Sequence, residues 1–143
     1  MAHRQFVLDA SLIPAWCFEN ESCAMADAIL ASFENGSAMV PSIWPYEVAE
    51  ILETAVLQGD LDKSQVRFFL TQVRKLPITV EVETSRQVYG PTLDLALERH
   101  LSMYEAAYLD LAIKEGLPLA TLSPAVAEVA KALNIPVYSP DHS

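Results

Sequence analysis

A chain of 143 residues has the length of one domain, read here as a single unit over 1–143, and can bury roughly two-thirds of its unfolded surface. Apolar residues make up 52% of it, which argues against disorder, and its longest apolar stretch, MVPSIWPYEVAEILETAVL, is broken by Pro45, Glu47 and Glu50, so no membrane span is expected. Nineteen acidic against nine basic side chains give a formal charge of −10, which excludes loose nucleic-acid binding by charge alone while leaving room for carboxylates that a divalent cation neutralises.

MAHRQFVLD enters a strand at 5–9 with no room for a signal peptide before it. Cys17 and Cys23, the only cysteines, are expected on adjoining helical turns and reduced, and the protein is expected to be cytoplasmic. Helices are expected over 11–17 and 22–35, the second stopping at Asn35-Gly36. SAMVP at 37–41 reads as a second strand. Residues 43–59 follow as a helix, with Val48, Ile51, Leu52, Ala55 and Val56 at helical spacing. Asp60 or Asp62 opens another helix, to about Lys75. PITVEV is a third strand, and 84–99 is helical with a break near Gly90-Pro91. LSMYEAAYLDLAIKEG forms a further helix, 118–121 a strand, and 124–133 a helix. PVYS reads as a last short strand. Short apolar strands alternating with amphipathic helices predict an α/β fold, three layers deep, with a mainly parallel sheet of four to five strands. Ligands of such sheets bind beyond the carboxyl ends of the strands, so acids found there carry the most information.

Asp9 ends the first strand and is either a helix cap or a functional carboxylate, with Ser11 placed to share either task. Glu47 lies in the first turn of its helix, where the dipole alone favours an acid. The aromatic run Trp44-Pro45-Tyr46 and the neighbours Val48 and Ala49 predict that this end is half-buried, where a carboxylate calls for a cation. Glu50 and Glu53 continue the stripe at i+3 spacing and read as solvated. Glu105 completes S-x-x-E with Ser102, a capping box. Ser123-Pro124 is an N-cap followed by proline at N1. Asp110 lies about 140° round the helix from Glu105, so one metal is not expected to see both. Asp9, Glu47 and Glu105, brought to one sheet edge, have the hard oxygen donors that Mg²⁺ takes. Lys63, Arg67, Arg74 and Lys75, with Arg86 after them, read first as a solvated helix face. His3, His100 and His142 have no ligand spacing and are expected at the surface or a terminus. Other chemistries built on an early aspartate fit poorly. Position 11 is Ser where a dehalogenase-type phosphatase needs a second Asp, no acidic pair or late lysine suits a receiver domain, and four glycines make no phosphate loop.

FVLDAS, VPSIWPYEVAEIL and LSMYEAAYLDLAIKEGLPLATLS, in this order and spacing, resemble the PIN-domain ribonucleases, specifically the VapC-type toxins of type II toxin–antitoxin pairs. The resemblance runs over essentially the whole chain. It implies a PIN-like parallel sheet, an acid cluster binding Mg²⁺ or Mn²⁺, endoribonuclease hydrolysis of RNA phosphodiesters, inhibition by a cognate antitoxin, and a homodimer within a larger toxin–antitoxin assembly. The family's first acid falls on Asp9 and its second on Glu47. Its third, usually Asp in Tyr-Asp-Ala-x-Tyr-Leu-x-Leu-Ala, is Glu105. Its fourth, usually Asp in Leu-x-Thr-Leu-Asp, is Ser123, and the Asn common one turn after the second acid is Glu50.

Two functions are therefore expected. In the first, Asp9, Glu47 and Glu105 hold the metal of an endoribonuclease toxin. Ser11 and Ser123 bond to metal-bound water, Glu50 restores part of the missing charge, and Lys63, Arg67, Arg74, Lys75 and Arg86 guide the RNA backbone. In the second, the altered acid positions leave a weakened metal site, and the protein works by binding an antitoxin or another partner.

Overall fold

The computed structural model describes residues 3–140. His142 lies outside them. Four strands, β1 (Arg4–Leu8), β2 (Gly36–Pro41), β3 (Ile78–Glu81) and β4 (Leu119–Ala120), form one sheet in the order β3-β2-β1-β4. Every pairing is parallel. In β1 three consecutive residues, Phe6, Val7 and Leu8, are fully buried. Consecutive side chains point to opposite faces, so both faces of the sheet are covered at β1, as its apolar run predicts. The edge strand β3 leaves Thr79 and Val80 exposed. Gly36 opens β2 because the strands approach closely there: a Cβ would stand 2.7 Å from the Arg4 carbonyl oxygen.

Between β1 and β2 run α1 (Leu12–Cys17) and α2 (Ala24–Ala31). The expected helix over 22–35 starts later, with Cys23 as its cap, and tightens into a 3₁₀ turn at Ser32–Asn35. Cys17 thus ends one helix and Cys23 caps the next; both are free thiols. Helix α3 (Trp44–Leu57) follows β2, and α4 (Lys63–Arg74) starts from a capping box in which Asp62 and Gln65 satisfy one another's amides. Asp62, rather than Asp60, is therefore the start signal.

The break expected near Gly90-Pro91 takes a definite form. Helix α5 (Ser85–Gln87) widens into a π turn over Val88–Thr92 before α6 (Leu93–Arg99) resumes. Pro91 has no N–H to donate within a regular helix, and the wider turn accommodates it. Helix α7 (Met103–Glu115) buries six residues, more than any other described helix, and packs on β1, β2 and β4. Helix α8 (Pro124–Ala132) starts at Ser123. The expected last strand, PVYS, is reduced to one parallel bridge between Val137 and Leu119, because β4 is too short to extend the ladder. No described helix is long and apolar enough to cross a membrane.

Candidate functional site

From β1 the chain winds to one side through β2 and β3, and later returns to the other side as β4. The crevice beyond the carboxyl ends of β1 and β4 is thus the point where the winding reverses, and ligands of open parallel sheets settle there. Asp9 leaves β1 at this point, its amide still bonded to the Ala120 carbonyl at 3.1 Å and its residue only 5% exposed. The Ser11 amide donates to Asp9 Oδ1 at 3.0 Å, and the Ser11 hydroxyl donates to the same oxygen. That hydroxyl also accepts the Leu122 amide at 2.8 Å and lies 3.4 Å from Thr121 Oγ1. Thr121 Oγ1 in turn accepts the Ser123 amide at 3.0 Å. Ser11 precedes α1 but makes no side-chain cap. Its hydroxyl instead ties the end of β1 to the segment after β4.

Glu47 approaches from α3, in its first turn and half-buried. The Tyr108 hydroxyl, carried by α7, donates to Glu47 Oε1. Burial pushes the Asp9 carboxyl above the usual carboxylate range, and the bonds from Ser11 and Thr121 partly oppose this. Burial also raises Glu47. The bond from Tyr108 opposes the rise, and the charges of Asp9 and Glu50 add to it. The Tyr108 phenol is driven upward by its burial and by Glu47, so it stays a donor. Asp9 and Glu47 are therefore two carboxylates that feel one another in a partly buried crevice, and neither makes an ion pair among the described residues.

The other expected residues are spread over several places. Glu105 takes the capping role: its amide donates to Ser102 Oγ at 3.0 Å, and its Oε1 accepts the Ser102 amide at 3.0 Å. Among the described residues no three His, Cys, Asp or Glu side chains gather closely enough to hold one metal ion. Ser123 caps α8, accepting the Val126 amide at 3.3 Å, within one residue of the crevice. Glu50 and Glu53 are exposed, as expected, and line a cleft of about 1040 Å³ with Glu19, Glu21 and Asp60. Of the bases, Lys63 and Arg67 line a shallower groove of about 330 Å³ between α3 and α4, whose lining includes neither Asp9 nor Glu47. Arg74 ends α4, Lys75 follows it, and Arg86 lies in α5; all three are exposed. Around Glu47, Trp44 and Val48 are buried as predicted, but Tyr46 is 81% exposed and Ala49 also faces solvent.

Two participants escaped the sequence reading, Tyr108 and Thr121. A tyrosine inside an apolar helix run needs a partner for its hydroxyl, which is the signal that could have found the first. The second falls on the Thr of the Leu-x-Thr-Leu-Asp pattern, to which the sequence reading gave no role.

The capping geometry makes a definite prediction. Glu105→Gln keeps an acceptor for the Ser102 amide and loses only the interaction of its charge with the helix dipole, so thermal unfolding in metal-free buffer should show a cost of roughly 0.3–1 kcal/mol. Glu105→Ala, which removes the acceptor as well, should cost more.

A four-stranded parallel sheet covered by helices, with two acids where its winding reverses, is consistent with the PIN-like fold that the sequence resemblance implies. No family model matches the chain. Over 132 residues it is 28% identical to Ribonuclease VapC3 of Pyrobaculum aerophilum, a match that spans 92% of this chain and 99% of that protein. The crystal structure of PAE2754, also from Pyrobaculum aerophilum, covers 88% of this chain and 86% of its own with a TM-score of 0.66; at 21% identity this likeness concerns the fold.

Proposed function

We propose that this chain is a Mg²⁺- or Mn²⁺-dependent endoribonuclease toxin that hydrolyses RNA phosphodiesters and is neutralised by a cognate antitoxin. The observation that carries the reading is the pairing of buried Asp9 with half-buried Glu47 at the switch point, in a chain similar over most of its length to a protein named a ribonuclease. A hard divalent ion fits two such carboxylates, because it fills its remaining positions with water and substrate oxygens. A three-acid set does not fit the described geometry, and Ser123 brings no charge. Asp9 and Glu47 are therefore the residues that would hold the ion. When bound, it would supply an activated water and positive charge at the phosphate.

The chain's own groups do the rest. Ser11 fixes the Asp9 carboxylate, and Tyr108 fixes Glu47. Thr121 and Ser123 place a hydroxyl and an amide at the crevice edge. Lys63, Arg67, Arg74, Lys75 and Arg86 are the cations available to steer an RNA backbone past an otherwise acidic surface. The antitoxin and the homodimer belong to the same reading. The test is cleavage of RNA by the purified chain, with Mn²⁺ and with chelator, together with growth arrest on induced expression. Cleavage that survives chelation would overturn the metal-dependent mechanism.

The capping geometry of Glu105 favours the second reading, a partner-binding protein with a weakened metal site. Substitution at the fourth position separates the two. Ser123→Asp keeps an N-cap acceptor for Val126 and adds a carboxylate beside the crevice. On the nuclease reading it should tighten Mn²⁺ binding and raise cleavage, while lowering metal-free stability through repulsion from Asp9 and Glu47. Calorimetric titration and an RNA cleavage assay on the one variant check both effects. If Ser123→Asp and the parent neither bind Mn²⁺ nor cut RNA, the partner-binding reading stands.

A further inference from the structure

Asp110 is a buried acid that the nuclease reading leaves unused. It lies in the middle of α7, 8% exposed, and two residues from Tyr108 it faces another side of the helix. Both of its donors reach the same oxygen: Gln87 Nε2 at 2.7 Å and Thr92 Oγ1 at 2.9 Å bond to Oδ2. Oδ1 receives no hydrogen bond among the described residues, yet it is not one of the buried atoms sealed without a partner. Gln87 immediately precedes the π turn and Thr92 ends it. The acid is thus held by the two ends of the irregular turn, with one oxygen left over.

That turn, α7 and the carboxyl end of β3 enclose a cavity of about 300 Å³, which Asp110 lines. Ile43, Val88, Met103, Ala107 and Leu111 give it apolar walls, and Tyr104 also lines it. Glu83 also faces it, held by the Ser42 amide at 3.1 Å and the Ser42 hydroxyl at 2.6 Å. The one cationic lining residue, Lys114, is paired with Glu81 at 3.5 Å. Glu83 and Asp110 remain, two positioned carboxylates that make no ion pair among the described residues. Apolar walls, an aromatic ring and fixed carboxylates together recognise a positive charge carried on an apolar body. None of Asp9, Glu47 and Glu105 lines this cavity, so it is distinct from the switch-point site.

We propose that the cavity binds an organic cation, an ammonium or guanidinium on a compact apolar body, whose charge pairs with Glu83 and Asp110. This site is independent of the nuclease reading. The same chemistry can come from a free small molecule or from an arginine side chain of another protein.

The full chain, in chelator so that no metal contributes, is titrated by calorimetry with benzamidine, its neutral isostere benzamide, and a blocked arginine. Benzamidine should bind with a dissociation constant of about 1 mM, and benzamide should not bind measurably. Glu83→Gln and Asp110→Asn should each weaken benzamidine about tenfold, and Ala107→Phe, which fills the cavity, should abolish binding in a folded protein. Tighter binding of the blocked arginine than of benzamidine assigns the site to a protein partner, and the reverse to a small molecule. The proposal is overturned if neither cation binds the parent chain, if benzamide binds as well as benzamidine, or if Glu83→Gln, the variant that leaves the helix interior untouched, has unchanged affinity.

Discussion

Asp9→Asn should abolish Mn²⁺ binding and RNA cleavage while making the metal-free protein more stable at neutral pH. The loss follows from the ligand role proposed for Asp9. Removing a group that merely orients a metal ligand costs 10–100-fold in affinity or activity, so removing a ligand outright should cost at least about 10²-fold. The gain in stability follows from burial. Asn keeps an oxygen for the Ser11 amide and hydroxyl, but it discards a charge that the crevice holds out of water. The pH dependence has a definite sign. The folded protein binds the Asp9 proton more tightly than the unfolded chain does. Between the ordinary carboxylate value and the raised folded value, stability therefore falls as pH rises, and above that window the charged group bears its full cost. Glu47, raised in the same direction, contributes a slope of the same sign. Melting curves of parent and variant in chelator, from mildly acidic to neutral pH, should diverge as pH rises. Equal midpoints at neutral pH together with unchanged Mn²⁺ affinity would remove Asp9 from the centre of the site.

Phe6→Ala should have the largest effect on the fold. Phe6 is fully buried on β1, its ring stacked on Tyr138 with centroids 4.2 Å apart and tilted against Phe33 at 5.3 Å. Truncating such a side chain costs about 3–5 kcal/mol, and the lost aromatic pairs place Phe6 towards the upper end of that range. That is a large part of the roughly 5–15 kcal/mol that holds a domain together, and denaturant titration measures it directly. The loss should also be uneven. Beyond α8, Val137 joins the sheet by one bridge, and Tyr138 returns its amide to Leu119 at 2.8 Å. Without the Phe6 ring beneath it, the Tyr138 amide should exchange with solvent well before those of β1 and β2.

What could be read in advance depended on how local its cause was. Asp62 before α4, Ser102 before α7 and Ser123-Pro124 before α8 are start signals within four residues of the helices they open, and all three do so. The proline break in 84–99 was equally local, although its form as a π turn was not. The parallel sheet followed from apolar strands alternating with helices. The strand that shrank to a bridge did so because its partner, β4, has only two residues, a fact about the neighbour rather than about PVYS. Within the candidate site, Asp9 and Glu47 could be found because each lies just beyond a strand. Tyr108 carries the general signal of a tyrosine in an apolar run, but its partner, like that of Thr121, is fixed only when distant segments meet at Asp9 and Glu47. Glu105 shows the opposite limit: its S-x-x-E spacing describes its local bond fully and says nothing of which way its second oxygen faces.

The position of Ser123 has a consequence for how such a protein can change over generations. The residue stands past the end of β4, its amide held by Thr121 and its hydroxyl capping α8. Ser, Asp and Asn serve as helix caps almost equally well, so the scaffold does not distinguish among them. Charge can therefore be added or withdrawn at the crevice by a single replacement, without passing through a form that fails to fold. On the nuclease reading proposed above, a strongly cleaving protein and an attenuated one would be neighbours in sequence space, with selection on the host cell's tolerance, rather than on folding, deciding which persists.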